Sequence, residues 1–241
     1  IGVGGFQIFK AETTGPIAEK IVPRIKDTAK ILYAIYIGIT IIQALLLCFG
    51  GMSLLESLLH TFSTVGTGGF SPKNASVGAF NSSFIIYVIS IFMILCGVNF
   101  SLFYEVLKGR WRNVLKNSEL KLYLGIIAIS TLLITFNLNG EIYSSIFETF
   151  KHALFQVSTI ITTTGFTTVD FNKWTDFSKS ILFLLMFVGG CAGSTGGGIK
   201  VIRLLILGKL VKREILKLLH PKAYVTIKVN DRILSSDTTT S

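Results

Sequence analysis

Four long apolar stretches without any charged or histidine side chain constrain this chain more than any other feature. They cover residues 31–55, 74–104, 122–140 and 180–199. A helix needs roughly 20 apolar residues to cross the hydrocarbon core of a bilayer, and each stretch is near that length or longer. Half of the 241 residues are hydrophobic and only 15% are charged, which excludes an ordinary soluble domain. The sequence therefore predicts a membrane protein with four crossings.

Positive charge alternates along the chain with each crossing. Lys and Arg number 5 in residues 1–30, 5 in 105–121 and 9 in 200–241, against 1 in 50–79 and 3 in 137–179. Under the positive-inside rule the three basic segments lie in the cytoplasm and the other two face outward. The net charge of +10 is therefore an orientation signal, and nucleic-acid binding is a weak alternative.

Two Thr/Gly-rich sequences stand at a constant offset of 96 residues. Residues 62–71 read FSTVGTGGFS and residues 158–167 read STIITTTGFT. Each follows a sequence of the capping-box form, which predicts short helices over residues 54–63 and 145–157. These helices are too short to span a membrane, so we expect them to turn back at the Thr/Gly sequence.

The capping glutamates, Glu56 and Glu148, stand at slightly different distances from the aligned glycines, Gly69 and Gly165. The distance is 13 residues in the first copy and 17 in the second. The four extra residues correspond to about one helical turn, so the same helix face should meet the loop in both copies.

The repeat predicts an all-α membrane protein of helix, re-entrant pore helix, filter loop and helix units of the potassium-channel type. The expected divisions are 1–28, the end of a preceding unit and a linker; 29–104, a first unit; 105–120, a cytoplasmic loop; 121–219, a second unit; and 220–241, a linker. Within the units, residues 29–49, 80–104 and 121–136 are expected to cross the membrane as helices.

A Thr/Gly loop between membrane helices can present main-chain carbonyl oxygens in place of the water around a cation. Helix C-terminal ends directed at the loop also favour a cation, and neither loop contains a basic residue. The candidate filter residues are Val65, Gly66, Thr67, Gly68, Gly69, Thr162, Thr163, Thr164 and Gly165. The alternative is that both sequences are ordinary outer turns, which the repetition disfavours.

A glycine-rich segment at residues 189–198 contains six glycines. At about 1 kcal/mol each relative to alanine, they would cost a continuous helix about 6 kcal/mol, so the last crossing should break there. The candidate functional residues of this interruption, to which the family resemblance given below assigns gating, are Gly189, Gly190, Gly193, Ser194, Thr195, Gly196, Gly197, Gly198 and Lys200. Close packing of helices through GxxxG spacing is the alternative, and a nucleotide-binding P-loop is excluded because its Gly-Lys-Ser/Thr order is absent. The corresponding residues of the first unit, 97–102, are expected to stay helical.

Several other residues have simpler expected roles. His60 is expected to pack or hydrogen-bond on the first short helix, Asp170 and Asp176 to be solvated loop acids, and Lys200 to mark the inner boundary of the membrane, with a role in a gate as its alternative. Trp111 and Trp174 are expected to be interface anchors, and the three cysteines to be structural. A basic amphipathic helix is expected over residues 200–219, a short strand over 223–229 and a disordered tail over 235–241.

Together these sequences resemble the membrane subunit of the Trk/Ktr/HKT superfamily of potassium transporters, closest to the Trk type. The resemblance rests on residues 4–12 (GGFQIFKAE), the two Thr/Gly sequences, residues 189–200 and the His-Pro pair at 220–221. It implies four units around one pore, of which this chain would be a central fragment holding the second and third. It also implies filter glycines at Gly69 and Gly165, and a gating loop at residues 189–198. Potassium is then expected at the carbonyls of Thr67, Gly68, Thr163 and Thr164.

The resemblance further implies a homodimer in membrane lipid, regulated by a cytosolic nucleotide-binding subunit, with K⁺ as the transported ion and no cofactor. The function we expect is potassium uptake across the plasma (inner) membrane of a prokaryote by a multi-pass, non-enzymatic protein. The alternatives are a non-conducting membrane scaffold and a member of the same superfamily permeable to both sodium and potassium. An intramembrane enzyme is least expected, because the apolar segments hold no cluster of His, Asp and Glu.

Overall fold

A computed structural model describes residues 25–220 and two short paired strands near the end of the chain. The helices are α1 (Ile25–Phe49), α2 (Leu54–Val65), α3 (Ser83–Cys96), α4 (Phe100–Leu107), α5 (Trp111–Lys116), α6 (Ser118–Leu138), α7 (Ile146–Ile161), α8 (Asp176–Leu185) and α9 (Val201–Leu219). Single 3-10 turns occupy Ser76–Ala79 and Phe171–Lys173, and β1 (Lys228–Val229) pairs antiparallel with β2 (Arg232–Ile233). The protein is therefore mainly helical, as predicted.

Some of the expected features lie outside the described residues. They are the motif at residues 4–12, Pro221, residues 223–227 of the expected strand, and the tail at 235–241. Of that strand only Lys228 and Val229 are described, and these two residues do pair.

The two halves of the described chain have the same order of a long helix, a short helix, a loop and an interrupted helix. The short helices α2 and α7 contain 12 and 16 residues, so they differ by the four residues that the sequence predicts. Ser53 and Glu56 form a capping box, with the Glu56 amide 3.3 Å from the Ser53 hydroxyl and the Ser53 amide 3.2 Å from a Glu56 carboxylate oxygen. The prediction of a second capping box at Ser145 and Glu148 is wrong, because Ser145 precedes α7 without making a side-chain capping bond.

Two helices of the described residues, α1 and α6, are long and apolar enough to cross a membrane. The pair α3 and α4 would make a third crossing, although the two helices meet at an angle of 96°. The last apolar stretch forms only α8, which has ten residues and ends before the glycine-rich segment. The break in the last apolar stretch is as predicted, whereas the number of four crossings is not reached: the described residues contain two such helices, or three spans if α3 and α4 are one bent crossing.

The interruption of the first half contradicts the expectation that residues 97–102 stay helical. The Gly97 amide ends α3 by donating to the Met93 carbonyl oxygen at 3.0 Å. The Asn99 side chain then accepts the Ser101 amide at 2.8 Å and so caps the start of α4. A glycine followed two residues later by asparagine thus ends one helix and begins another.

Two apolar clusters build the core. One joins α6, α7 and α8 with Cys191 and Val201. The other lies mainly in the first half but also includes Phe155 and Phe166 of the second half, so it packs the two halves together. Along α1, large apolar side chains stay exposed, and these are the surfaces that lipid or neighbouring helices would cover: Tyr33, Ile37, Ile41, Ile42, Leu45 and Phe49.

The helix break at Gly97 gives a stability prediction. A Cβ at position 97 would overlap the Tyr123 hydroxyl and lie 3.0 Å from the Thr162 methyl group. We expect Gly97→Ala to lower the free energy of unfolding by about 1–3 kcal/mol, the usual cost of overpacking. The measurement is the thermal unfolding midpoint of the full-length protein in detergent.

Gly125→Ala is the matched control, because a Cβ on Gly125 in α6 would meet no atom within 4 Å. That substitution should leave the midpoint unchanged or raise it slightly. A midpoint lowered by both substitutions equally would contradict the packing argument.

Candidate functional site

The two Thr/Gly loops, residues 66–70 and 162–166, have the same backbone hydrogen bonds at the 96-residue offset. Gly68 and Thr164 donate their amides to the carbonyl oxygens of Ser63 and Thr159, at 2.7 and 2.9 Å. One residue earlier, the Thr67 and Thr163 amides donate to Thr64 and Ile160, at 3.1 and 2.9 Å. One residue later, Gly69 and Gly165 donate to the same Ser63 and Thr159 oxygens. The sequence repeat is therefore a repeat of atomic geometry.

Positive φ angles occur at matching positions of both loops. Thr67 and Thr163 have φ of 51° and 56°, and Gly69 and Gly165 have φ of 69° and 93°. A β-branched residue with positive φ is uncommon and strained, and such strain persists only where the surroundings impose it. The same strained turn therefore forms twice, at the C-terminal end of each short helix.

The direction of the loop amides decides what the loops can bind. The amides of residues 67–69 and 163–165 donate to carbonyl oxygens in the last turns of α2 and α7, so the amides point towards these helices. The last turns of α2 and α7 contain no basic residue, and the helix dipole places partial negative charge there. The chemistry of both loops favours a cation over an anion.

The structure brings the two loops together. A Cβ on Gly69 would overlap the Thr164 carbonyl oxygen, so only glycine permits this approach. Beyond the loops, the Gly78 amide donates to the Thr167 carbonyl oxygen at 3.1 Å. By contrast, a Cβ on Gly165 would meet no atom within 4 Å. The two loops are therefore neighbours. Gly69 of the first loop packs against the second loop, whereas the equivalent Gly165 of the second loop faces open space.

His60 reinforces this contact from behind the first loop. Its Nδ1 lies 2.8 Å from the Glu56 carbonyl oxygen, which requires a proton on Nδ1, and its Nε2 then accepts the Ser71 hydroxyl at 3.0 Å. The ring stacks on Phe166, next to Gly165, with centroids 5.7 Å apart. The expected packing and hydrogen-bonding role of His60 is confirmed.

Glu56 supplies a fixed negative charge at the first turn of α2. Hydrogen bonding to the Lys73 ammonium, 2.9 Å away, and to Ser53 lowers the pKa of Glu56 to about 2. The carboxylate is therefore ionised at every physiological pH. Its negative charge stabilises α2 by interacting with the partial positive charge at the N-terminal end of the helix.

The glycine-rich segment lies against both loops. The Gly197 amide donates to the Thr163 hydroxyl at 2.7 Å, and the Thr67 hydroxyl lies 3.0 Å from the Thr195 carbonyl oxygen. At its base, the Gly189 amide donates to the Ile199 carbonyl oxygen at 2.8 Å. The segment is therefore a closed loop whose tip meets the loops of both halves.

The same segment is braced by the helix break of the first half. The Cys191 amide donates to the Gly97 carbonyl oxygen at 2.8 Å, and the Phe100 amide donates to the Gly193 carbonyl oxygen at 3.1 Å. A Cβ on Gly189 would overlap the Gly197 carbonyl oxygen. The glycines thus serve close backbone packing within a non-helical loop, and the GxxxG interpretation is wrong because no helix exists here.

Lys200 is buried, and its ammonium donates to the Gly196 carbonyl oxygen. This contact favours a role in the glycine-rich loop over the expected role as a boundary marker. Beside it, a cavity of about 570 Å³ is lined by Tyr33, Tyr36, Phe100 and the segment 193–196.

Glu119 is a buried residue that the sequence analysis missed. One of its carboxylate oxygens accepts the Ala192 amide at 2.7 Å and the Ile202 amide at 3.2 Å. The only sequence signal was an acidic residue in the first turn of a helix, which is common and points to no particular partner.

The remaining candidates have local roles. Asp170 lies in a loop, as expected, and accepts the Asn172 amide at 3.1 Å. Asp176 is exposed, as expected, but it begins α8 instead of lying in a loop, and it pairs with Lys179 at 2.8 Å. Trp174 is buried, so its expected role as an interface anchor is wrong, whereas Trp111 is exposed. Among the described residues, no group of three His, Cys, Asp or Glu side chains is placed to hold a metal ion.

The family model of TrkH, described as a cation transport protein, matches residues 1–138 and 120–241. The chain belongs to the TrkH family. This membership confirms the resemblance seen in the motifs. A transport family also agrees with the expectation that the protein is not an enzyme.

Relatives and a solved structure support the same family. The Trk system potassium uptake protein TrkH of Salmonella typhimurium is 42% identical over 240 residues, covering 97% of this chain and 49% of the relative. TrkG of Escherichia coli is 34% identical over 98% of this chain and 49% of its own length. The crystal structure of the potassium transporter TrkH from Vibrio parahaemolyticus matches with a TM-score of 0.81 and 39% identity, covering 86% of this chain and 45% of that one. The chain spans about half the length of these relatives.

The contact between Thr163 and Gly197 gives a second prediction. Thr163→Val removes the acceptor of the Gly197 amide, and a lost hydrogen bond of this kind costs about 1–3 kcal/mol. We expect amide hydrogen exchange in residues 189–198 of the full-length protein to accelerate about tenfold or more.

Thr163→Ser, which keeps the hydroxyl, should exchange at nearly the original rate. Thr167→Val is the control, because Thr167 contacts the first half through its backbone groups rather than its side chain. Equal exchange rates in Thr163→Val and the unsubstituted protein would show that the bond does not hold the segment.

Proposed function

We propose that this chain is the central part of a potassium-uptake transporter, and that ions pass a carbonyl-lined filter gated by the glycine-rich loop. The observation that carries the proposal is the contact of the two loops at Gly69 and the Thr164 carbonyl oxygen. The two loops have the same backbone hydrogen bonds, their amides donate back to the short helices, and their backbones are in contact. This arrangement suits a single ion path shared by both loops. We take the identity of the transported ion from the relatives, since TrkH and TrkG are called potassium uptake proteins.

The proposed filter consists of residues 65–69 and 162–165. The carbonyl oxygens of Thr67, Gly68, Thr163 and Thr164 would replace water around K⁺, and the C-terminal ends of α2 and α7 would add partial negative charge. The open space beside Gly165 is where a further loop of the same kind would pack. The unit boundaries 29–104 and 121–219, with connections at 1–28, 105–120 and 220–241, belong to this proposal.

The proposed gate is the loop of residues 189–198 with Lys200. It is supported by the two hydrogen bonds that its tip makes to Thr67 and Thr163 at the base of the loops. A segment this rich in glycine can change its backbone conformation at small steric cost, which a rigid helix cannot do.

The setting that we propose is the inner membrane of a prokaryote, with the protein as a homodimer in lipid. A cytosolic nucleotide-binding subunit would dock on the basic inner face, which includes α9. Exposed basic residues on that helix, such as Arg203, Lys212 and Lys217, suit contact with an acidic partner or lipid headgroups. K⁺ is the transported ion, and no cofactor is proposed.

Selectivity tests the filter. Gly69→Ala would force a Cβ into the Thr164 carbonyl oxygen at a positive φ, a conformation that costs an L-residue about 1–2 kcal/mol. In the full-length protein we expect potassium over sodium selectivity to fall by about tenfold, and Gly165→Ala to act in the same direction. The measurement is competition of the two ions in proteoliposome uptake.

Gly125→Ala serves again as the control and should leave selectivity unchanged. Unaltered selectivity in both loop variants would count against the filter. Absence of any uptake by the unsubstituted protein would instead favour a non-conducting scaffold, and equal uptake of the two ions would favour a sodium- and potassium-permeable transporter.

Flux tests the gate. Deleting residues 194–197 removes the tip that contacts Thr67 and Thr163. We expect potassium flux through the full-length protein in the absence of its regulator to rise about tenfold or more, because the obstruction is gone. A deletion variant that folds and conducts at the original rate would refute the gate.

A further inference from the structure

Buried charge is rare in the described residues and is concentrated at one place. Among their Asp, Glu, Lys and Arg side chains only Glu119 and Lys200 are buried, each with 4% exposure, and both contact the glycine-rich segment. Burying a carboxylate is costly unless it is hydrogen-bonded, so a buried acid in a membrane protein marks a special role.

The contacts of Glu119 join the two ends of the segment. Its Oε1 accepts the Ala192 amide, near the beginning, at 2.7 Å and the Ile202 amide, just beyond the end, at 3.2 Å. One oxygen atom on a different helix therefore fixes both ends of the loop. Because both amides share one acceptor atom, loss of that single side chain removes both contacts at once.

The contact at Ile202 also caps α9. Ile202 is the second residue of that helix, and its amide has no partner within the helix. Lys200, at the N-cap position, makes no side-chain capping bond, so Glu119 provides from α6 the acceptor that α9 lacks.

The position of Glu119 in the chain connects this contact to the cytoplasmic side. It lies in the first turn of α6, directly after the short basic helix α5. One turn further, the Tyr123 hydroxyl donates to the Ile94 carbonyl oxygen beside the helix break that braces the segment. The first two turns of α6 thus hold the glycine-rich segment and its support together.

We infer that Glu119 is a positioning residue that holds the glycine-rich loop closed across the ion path. The inference rests on the proposed gate. Loss of the carboxylate frees Ala192 and Ile202 together, so the tip of the loop leaves Thr67 and Thr163 more often. Ion flux then rises while the filter itself is unchanged.

The test uses the full-length protein in proteoliposomes without its regulator, with potassium flux and potassium over sodium selectivity as readouts. Glu119→Ala is expected to raise flux on the order of tenfold at unchanged selectivity, because two backbone amides lose their acceptor. Glu119→Gln keeps an acceptor oxygen and should give a flux closer to that of the unsubstituted protein. Lys121→Gln, an exposed change in the same turn, is the control and should leave flux unchanged.

Deletion of residues 194–197, measured in parallel, separates the two hypotheses. Raised flux in the deletion but not in Glu119→Ala overturns the role of Glu119 and leaves the gate intact. Raised flux in neither refutes the gate itself. Should Glu119→Ala fail to fold, Glu119→Asp replaces it, since the shorter side chain keeps the carboxyl group but cannot reach both amides. Unchanged flux in that variant overturns the inference.

Discussion

Non-helical backbone within a membrane protein must find its hydrogen-bond partners inside the protein, and this constraint governs the described structure. Both Thr/Gly loops meet it by donating their amides to the last carbonyl groups of the short helices that precede them. The amide donors are thereby used within each half, which is the arrangement that the proposed filter requires. The same local solution to the backbone problem therefore appears in both halves, and the proposed cation site rests on it.

The glycine-rich segment meets the same constraint in another way. Its amides are accepted by the carbonyl oxygen of Gly97, the hydroxyl of Thr163 and the carboxylate of Glu119. These acceptors come from three separate parts of the chain. The segment is therefore held by tertiary contacts, and its position depends on elements that reach from the Thr/Gly loops to the first turn of α6.

The halves resemble one another in their loops and differ in how their second helices are interrupted. In the first half the break is short, because Gly97 ends one helix and Asn99 begins the next. In the second half a whole loop fills the interruption, and it rests on the break in the first half. Because of this asymmetry, the glycine-rich segment of the second half contacts both Thr/Gly loops, whereas the described first half has no corresponding loop.

The sequence by itself determined the helical class, the repeat of 96 residues, the four-residue difference between the short helices and the interruption of the last apolar stretch. These follow from local pattern, because apolar length, capping residues and glycine content act over a few turns of chain. Only the tertiary structure decided that residues 97–99 break a helix, that Gly69 meets the Thr164 carbonyl oxygen, and that Glu119 holds the glycine-rich segment. Those outcomes depend on which distant backbone groups lack a partner, and a linear pattern does not contain that information.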